Sequence, residues 1–129
     1  MILRPDSCPC GRDRYDRCCG PLHRGERDAA TPEDLMRARY AAYALEESNY
    51  VFRTWHPRTR PDEVAADPAV RWTGLEVLAT SGGEQDDQDG VVEFRASYDA
   101  PGGRGALHET SRFTRRAGRW VYVEGDVRS

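Results

Sequence analysis

A chain of 129 residues has room for one ordinary domain and a short appendage, not for two full cores. With 38% hydrophobic and 32% charged residues it is polar yet well above the composition that forbids a core, and a net charge of -3 leaves no overall basic footprint for nucleic acid. All nineteen basic residues are arginine, which excludes a lysine nucleophile, a Schiff base or a phosphate-loop lysine.

No apolar run approaches the ~20 residues of a bilayer span, and the N-terminus lacks a secretory apolar stretch, so the chain is read as cytoplasmic with no membrane partner. Residues 1–28 are rich in Cys, Gly, Pro and charge and cannot build a core alone. From Met1 to Arg27 six arginines (Arg4, Arg12, Arg14, Arg17, Arg24, Arg27) face four acids (Asp6, Asp13, Asp16, Glu26), a slight positive surplus in an acidic chain.

Within that segment Cys8 and Cys10, then Cys18 and Cys19, form two close thiol pairs. Cytosolic thiols stay reduced, so clustered cysteines point to a metal before a disulfide. Zinc takes four soft, deprotonated ligands in a closed tetrahedral site, and Gly11 lets the chain turn sharply behind the first pair. Zinc held by Cys8, Cys10, Cys18 and Cys19 is therefore the leading assignment; a redox pair or unliganded thiols are the alternatives. His23 is read as an exposed surface histidine in preference to a substitute ligand.

Residues 29–129 read as one α+β domain. Thr31 has the chemistry of an N-cap, with Pro32 at the first helical position and Glu33 and Asp34 in the first turn. Leu35, Met36, Tyr40, Tyr43 and Leu45 fall along one stripe, as for a helix docked on a sheet. A second helix is expected over 47–54, with Tyr50, Val51 and Trp55 inward, before Pro57 and Pro61 break regularity. Strands are expected at 70–80, 90–98, 105–115 and 119–126. The turn-rich runs at 81–83, 101–103 and 117–118 between them favour an antiparallel meander. Helices followed by a curved sheet that wraps them often leave a pocket.

Strand alternation puts Leu107, Glu109, Ser111 and Phe113 on one face and Ala106, His108, Thr110 and Arg112 on the other, so whichever face is enclosed carries polar groups. A buried Glu109 needs an Arg or Tyr partner, and Arg39, Tyr40 and Tyr43 on the first helix are the candidates. Trp55 and His56 are placed near the mouth of such a pocket. The candidate pocket is thus Tyr40, Tyr43, Trp55, His56, His108, Glu109 and Ser111. No phosphate loop, nucleophile elbow or dinucleotide fingerprint is present, and no catalytic residue is assigned.

The run Cys8-Pro9-Cys10-Gly11, with Tyr15 and Cys18-Cys19, resembles the SEC-C motif, the zinc-binding tail also found on the bacterial preprotein translocase motor. The stretches at 22–25, 35–40, 54–57, 92–94 and 108–113 extend the resemblance to the YchJ-like family over nearly the whole chain. That resemblance implies a zinc knuckle followed by a nuclear-transport-factor-2-like cone. The interval between Cys10 and Cys18 is one residue shorter than the family's usual eight, and the C-terminal cysteine motif of some members has no counterpart. Functions that need two metal modules are therefore not expected.

The leading expectation for function is a non-catalytic module whose zinc-stiffened knuckle meets another protein, by analogy with the translocase tail. The competing expectation is a small-molecule-binding or enzymatic cone. An enclosed pocket with convergent polar groups favours the cone, and a filled cone favours the module. The exposed sheet face leaves room for a homodimer.

Overall fold

In the computed structural model, which describes residues 7–64 and 67–128, one long helix lies against a four-stranded sheet and two short helices pack on that helix. Arg4 and Asp6 fall outside the described residues. The helices are α1 (Gly20–His23), α2 (Pro32–Ala44) and α3 (Ser48–Arg53). The strands are β1 (Arg71–Gly82), β2 (Asp89–Ala100), β3 (Gly103–Arg116) and β4 (Arg119–Arg128), paired antiparallel in the order β1-β2-β3-β4. Among the described residues no helix is long and apolar enough to cross a membrane.

Local chemistry explains where α2 starts and stops. The Thr31 hydroxyl accepts the Asp34 backbone N–H at 3.0 Å, satisfying one of the donors a helix start leaves free. At the other end Glu46 takes a left-handed φ of 58°, and the Glu47 N–H closes onto the Ala42 carbonyl at 2.7 Å. The stripe expected on α2 is widened in the structure. Ala38, Ala41 and Ala42 are fully buried, along with Leu35, Met36 and Tyr40, because α2 is covered by the cysteine segment on one side and the sheet on the other.

The strands run one or two residues beyond most of the expected ends, since the hairpins stay paired down to short turns. The β3–β4 turn has positive φ at both Ala117 (55°) and Gly118 (80°), the mirror-image turn whose twist suits a two-residue hairpin. Register shifts between Trp72 and Gly74, between Val77 and Ala79, and beside Arg112 and Phe113 insert bulges that bend the sheet. The bend makes one face concave, and α2 fills part of it.

The concave face carries Val92, Phe94, Ala96 and Phe113 into a core that also holds Leu35, Met36, Tyr50 and Val51. The same cluster continues through Cys8, Cys10, Tyr15, Cys18, Cys19 and Leu22. The cysteine segment is therefore packed into the domain's own core. On the convex face, Arg95 meets Glu76, His108 meets Glu93 and Arg112 meets Glu124 and Asp126. Those surface pairs contribute at most about 1 kcal/mol each.

Candidate metal centre and cone cavity

Cys8 and Cys10 sit on a turn in which the Cys8 N–H bonds the Asp13 carbonyl and the Gly11 N–H bonds the Cys8 carbonyl, both at 2.9 Å. Gly11 has φ +84°, a conformation that favours glycine. A 3₁₀ turn over Tyr15–Arg17 then brings Cys18 and Cys19 to the start of α1. All four cysteines are buried, and their Sγ atoms lie within 4.8 Å of one another. Cys10 and Cys18 are 3.4 Å apart and Cys18 and Cys19 are 3.9 Å apart. No pair is at the ~2.05 Å of a disulfide, whereas four thiolates at ~2.3 Å from one tetrahedral ion stand about 3.8 Å apart.

The electrostatics of the cluster fit a cation at its centre. Thiol hydrogen bonds from Cys19 and then Cys8 hold the Cys10 thiol far below its ordinary value. Burial, followed by Cys10, pushes the Cys18 thiol up to about 12. The Cys8 and Cys19 thiols are also raised, in each case chiefly by their hydrogen bond to Cys10. Without a cation one sulfur ionises at the expense of the other three; a divalent ion lets all four serve as thiolate donors.

Arginines tie this segment to the helices. Arg12 reaches Asp34 at 2.6 Å and Glu33 at 3.2 Å. Arg37 donates to the Cys10 carbonyl at 3.0 Å and to Glu33 at 2.9 Å. Arg53 donates to the His23 carbonyl at 2.8 Å. Arg14 and Arg17 stay exposed.

His23 corrects the sequence reading, being neither exposed nor a fifth donor in the cluster. It is 8% exposed, with Nε2 at 2.8 Å from the Ala38 carbonyl and Nδ1 at 2.7 Å from the Tyr15 hydroxyl. The carbonyl can only accept, so Nε2 carries the proton and Nδ1 accepts from Tyr15. Its ring also packs on Tyr50, with centroids 4.8 Å apart. A polar residue in an Arg- and Gly-rich segment looks solvated until α2 and α3 cover it. We predict that His23→Leu lowers stability by about 1–3 kcal/mol through loss of its buried hydrogen bonds to the Tyr15 hydroxyl and the Ala38 carbonyl, read by urea unfolding, while metal content per chain is unchanged.

The second feature is a cavity of about 230 Å³ between α2 and the concave sheet. It brings together five of the expected pocket residues, Tyr40, Tyr43, Trp55, Glu109 and Ser111. His56 and His108 are not among the lining residues. His108 pairs with Arg95 in the β2–β3 ladder and so points to the convex face, where Nε2 lies 2.6 Å from Glu93. His56 belongs to the turn after α3, its backbone N–H on the Tyr122 carbonyl at 2.8 Å and its Nδ1 accepting from the Arg58 N–H at 3.0 Å.

Arg39 is a wall of this cavity, 6% exposed. Its guanidinium carbon lies 4.4 Å from the Tyr122 ring centroid and 5.0 Å from that of Trp55, and Nη1 donates to the Val51 carbonyl at 2.9 Å and the Thr54 hydroxyl at 2.8 Å. Burial lowers its pKa, against the pull of Tyr43, Tyr122, Tyr50 and Glu109. Glu109 receives the Ser111 hydroxyl at 2.5 Å and the Tyr122 hydroxyl at 3.3 Å, both on Oε2. Burial, and then Glu109, pushes the Tyr122 phenol above its ordinary range, so it stays a donor to that carboxylate.

Tyr122, Trp72 and Gly125 complete the site and escaped the sequence reading. The alternation of Trp120 and Tyr122 on β4 is a usable signal, but the bulge beside Phe113 shifts which β4 residues face Glu109. Gly125 leaves room for Glu109, because a Cβ there would sit 2.7 Å from the Glu109 carboxyl carbon and that side chain would have to move. Gly125→Ala is expected to unseat the carboxylate and lower stability by about 1–3 kcal/mol, measurable as a fall in Tm.

A small antiparallel cone, floored by a carboxylate and preceded by a four-cysteine centre, defines the class: a nuclear-transport-factor-2-like domain with an N-terminal cysteine knuckle. The family model described as YchJ, middle NTF2-like domain, matches residues 31–125. A UPF0225 protein of Streptomyces avermitilis is 52% identical over 124 residues, covering 95% of this chain and 86% of the relative. One of Deinococcus radiodurans is 50% identical over 119 residues, covering 91% and 86%. The chain belongs to this UPF0225 (YchJ) family.

Two solved structures share the fold. The solution structure of a SEC-C motif containing protein from Rhodopseudomonas palustris has a TM-score of 0.82 at 37% identity, covering 95% of this chain and 98% of that one. The crystal structure of a SEC-C motif containing protein from Psychrobacter arcticus has a TM-score of 0.77 at 28% identity, covering 100% and 86%.

Proposed function

We propose that the protein is a non-catalytic, cytoplasmic small-molecule-binding cone whose N-terminal cysteines hold one structural zinc ion. The single observation behind this reading is that the cone is not filled: its cavity retains a carboxylate and a guanidinium among aromatic walls. Binding pockets have this composition, a mostly apolar lining with a few placed polar groups. Zinc is the metal that the donor set favours, since four buried cysteines form the closed sulfur tetrahedron of structural sites. In this reading the ion supplies rigidity, and Cys8, Cys10, Cys18 and Cys19 fasten the segment that covers α2.

A fragment screen by ligand-observed NMR tests the cone. Leu107→Trp, at a half-buried position in the lining, is expected to occlude the cavity and abolish saturable binding. Equal binding to wild type and variant would place any ligand elsewhere.

A second reading is supported by the knuckle's surface. Arg12, Arg14, Arg17, Arg24 and Arg27 are exposed on a segment held rigidly against the helices. Such a surface suits recognition by another protein. Deleting the segment would strip Tyr15 and Leu22 from the core, so the cleaner test is Arg14→Glu with Arg17→Glu. Recovery of a stoichiometric partner by wild type but not by this variant supports the module; equal recovery removes the knuckle surface from the interaction.

A further inference from the structure

Resting on the cone reading, we infer that the cavity takes a small planar molecule with a hydrogen-bond donor received by Glu109 and a carboxylate or carbonyl acceptor received by Arg39. The size sets the first limit. At about 230 Å³ the cavity falls below the roughly 300–1,000 Å³ of pockets for drug-sized ligands.

The walls set the shape. Seven of the thirteen lining residues are Tyr, Trp or Phe, and several pack edge to face. Trp55 and Tyr122 meet at 83°, Phe113 and Tyr122 at 68°, and Tyr40 and Trp72 at 66°. Tilted rings present both faces and edges to the space between them, and flat guests match such walls through offset stacking. A saturated, puckered guest loses that contact.

The polar ends set the chemistry. Both donors to Glu109 fall on Oε2, so Oε1 takes no hydrogen bond from any described residue. Only Nη1 of Arg39 is engaged, and Nε and Nη2 have no hydrogen-bond partner among the described residues. The two charges share one cavity, yet no ion pair within 4.0 Å joins them. Each is held back by its own seat: the guanidinium against the rings of Tyr122 and Trp55, the carboxylate by Ser111, Tyr122 and the hollow at Gly125. A buried guanidinium and a half-buried carboxylate kept apart leave donors and an acceptor free for a guest, and a molecule with a donor and an acceptor engages them together.

The test titrates the full-length protein, by calorimetry, with 3- and 4-hydroxybenzoate, benzoate, phenol and cyclohexanecarboxylate. At least one hydroxybenzoate should bind about tenfold or more tighter than benzoate, phenol or cyclohexanecarboxylate, as a hydrogen bond to a charged acceptor implies. Glu109→Gln supplies the decisive comparison. Ser111 and Tyr122 hold the amide oxygen at the Oε2 position, which turns the NH₂ to the Oε1 position, so the phenol meets a neutral donor in place of a charged acceptor. The hydroxybenzoate advantage over benzoate should vanish in this variant while benzoate binding changes little. Affinities all within about threefold of one another, or a ranking unaltered by Glu109→Gln, would overturn the ligand class and leave the cone reading standing. No saturable binding of any probe at millimolar concentration, together with no effect of Leu107→Trp on the fragment screen, would overturn both.

Discussion

Cys10→Ala is expected to abolish metal binding and produce the largest loss of stability of any single substitution here. Cys10 is 1% exposed, its sulfur is 3.4 Å from that of Cys18, and the other thiols hydrogen-bond to it. Removing one of four ligands opens a structural site, and the binding free energy of such a site, on the order of 10 kcal/mol, is folding free energy. The loss does not stop at the knuckle. Tyr15, Leu22 and the four cysteines belong to the same cluster as Leu35, Val51 and Phe94, so a loosened segment uncovers the Ala38, Ala41 and Ala42 side of α2. Metal analysis and a thermal scan read both effects: no bound metal, and a Tm lower by well over about 10 °C, given a few degrees per kcal/mol at this chain length. Chelator treatment of wild type should reproduce the shift, whereas Arg17→Ala, at an exposed position, should not. Retention of one metal ion with an unchanged Tm in Cys10→Ala would contradict the four-sulfur site.

The second large effect is expected at Arg39, where a guanidinium is buried without a carboxylate within 4.0 Å among the described residues. Arg39→Ala removes donors to the Val51 carbonyl and the Thr54 hydroxyl and unpacks the Trp55 and Tyr122 rings. Loss of the buried hydrogen bonds and the new void together should lower stability by about 3–5 kcal/mol. Arg39→Met keeps most of the volume and no charge, and should recover about half of that loss. Urea unfolding of the two variants checks this. Equal, small losses would mean that the guanidinium's bonds and ring contacts contribute little.

Much of the fold was legible because it is encoded over short distances. The cap at Thr31, the proline after it and the acids in the first turn act within four residues, and Val92, Phe94 and Ala96 alternate cleanly along β2. The convergence of the cysteines was legible for the same reason, since a turn at Gly11 and one short helical turn bring them together. What escaped depends on contacts between distant segments. His23 lies in a polar run, and only α2 and α3 make it a buried residue.

Alternation on β3 separated His108 from Glu109 but could not tell which face was concave; the bulges in β1 and β4 decide that by bending the sheet. The same β4 bulge governs how Tyr122 and Gly125 meet Glu109. His56 looked like a cavity residue because it follows Trp55, but the backbone bond from its N–H to the Tyr122 carbonyl turns the chain at that point.

Cys8, Cys10, Cys18 and Cys19 gathering on one zinc ion is the claim on which the rest of the account stands. Native mass spectrometry of full-length protein, purified without added metal, tests it most directly. The account predicts one zinc ion per chain. A stoichiometrically metal-free protein in which all four thiols react with an alkylating reagent under native conditions would contradict it.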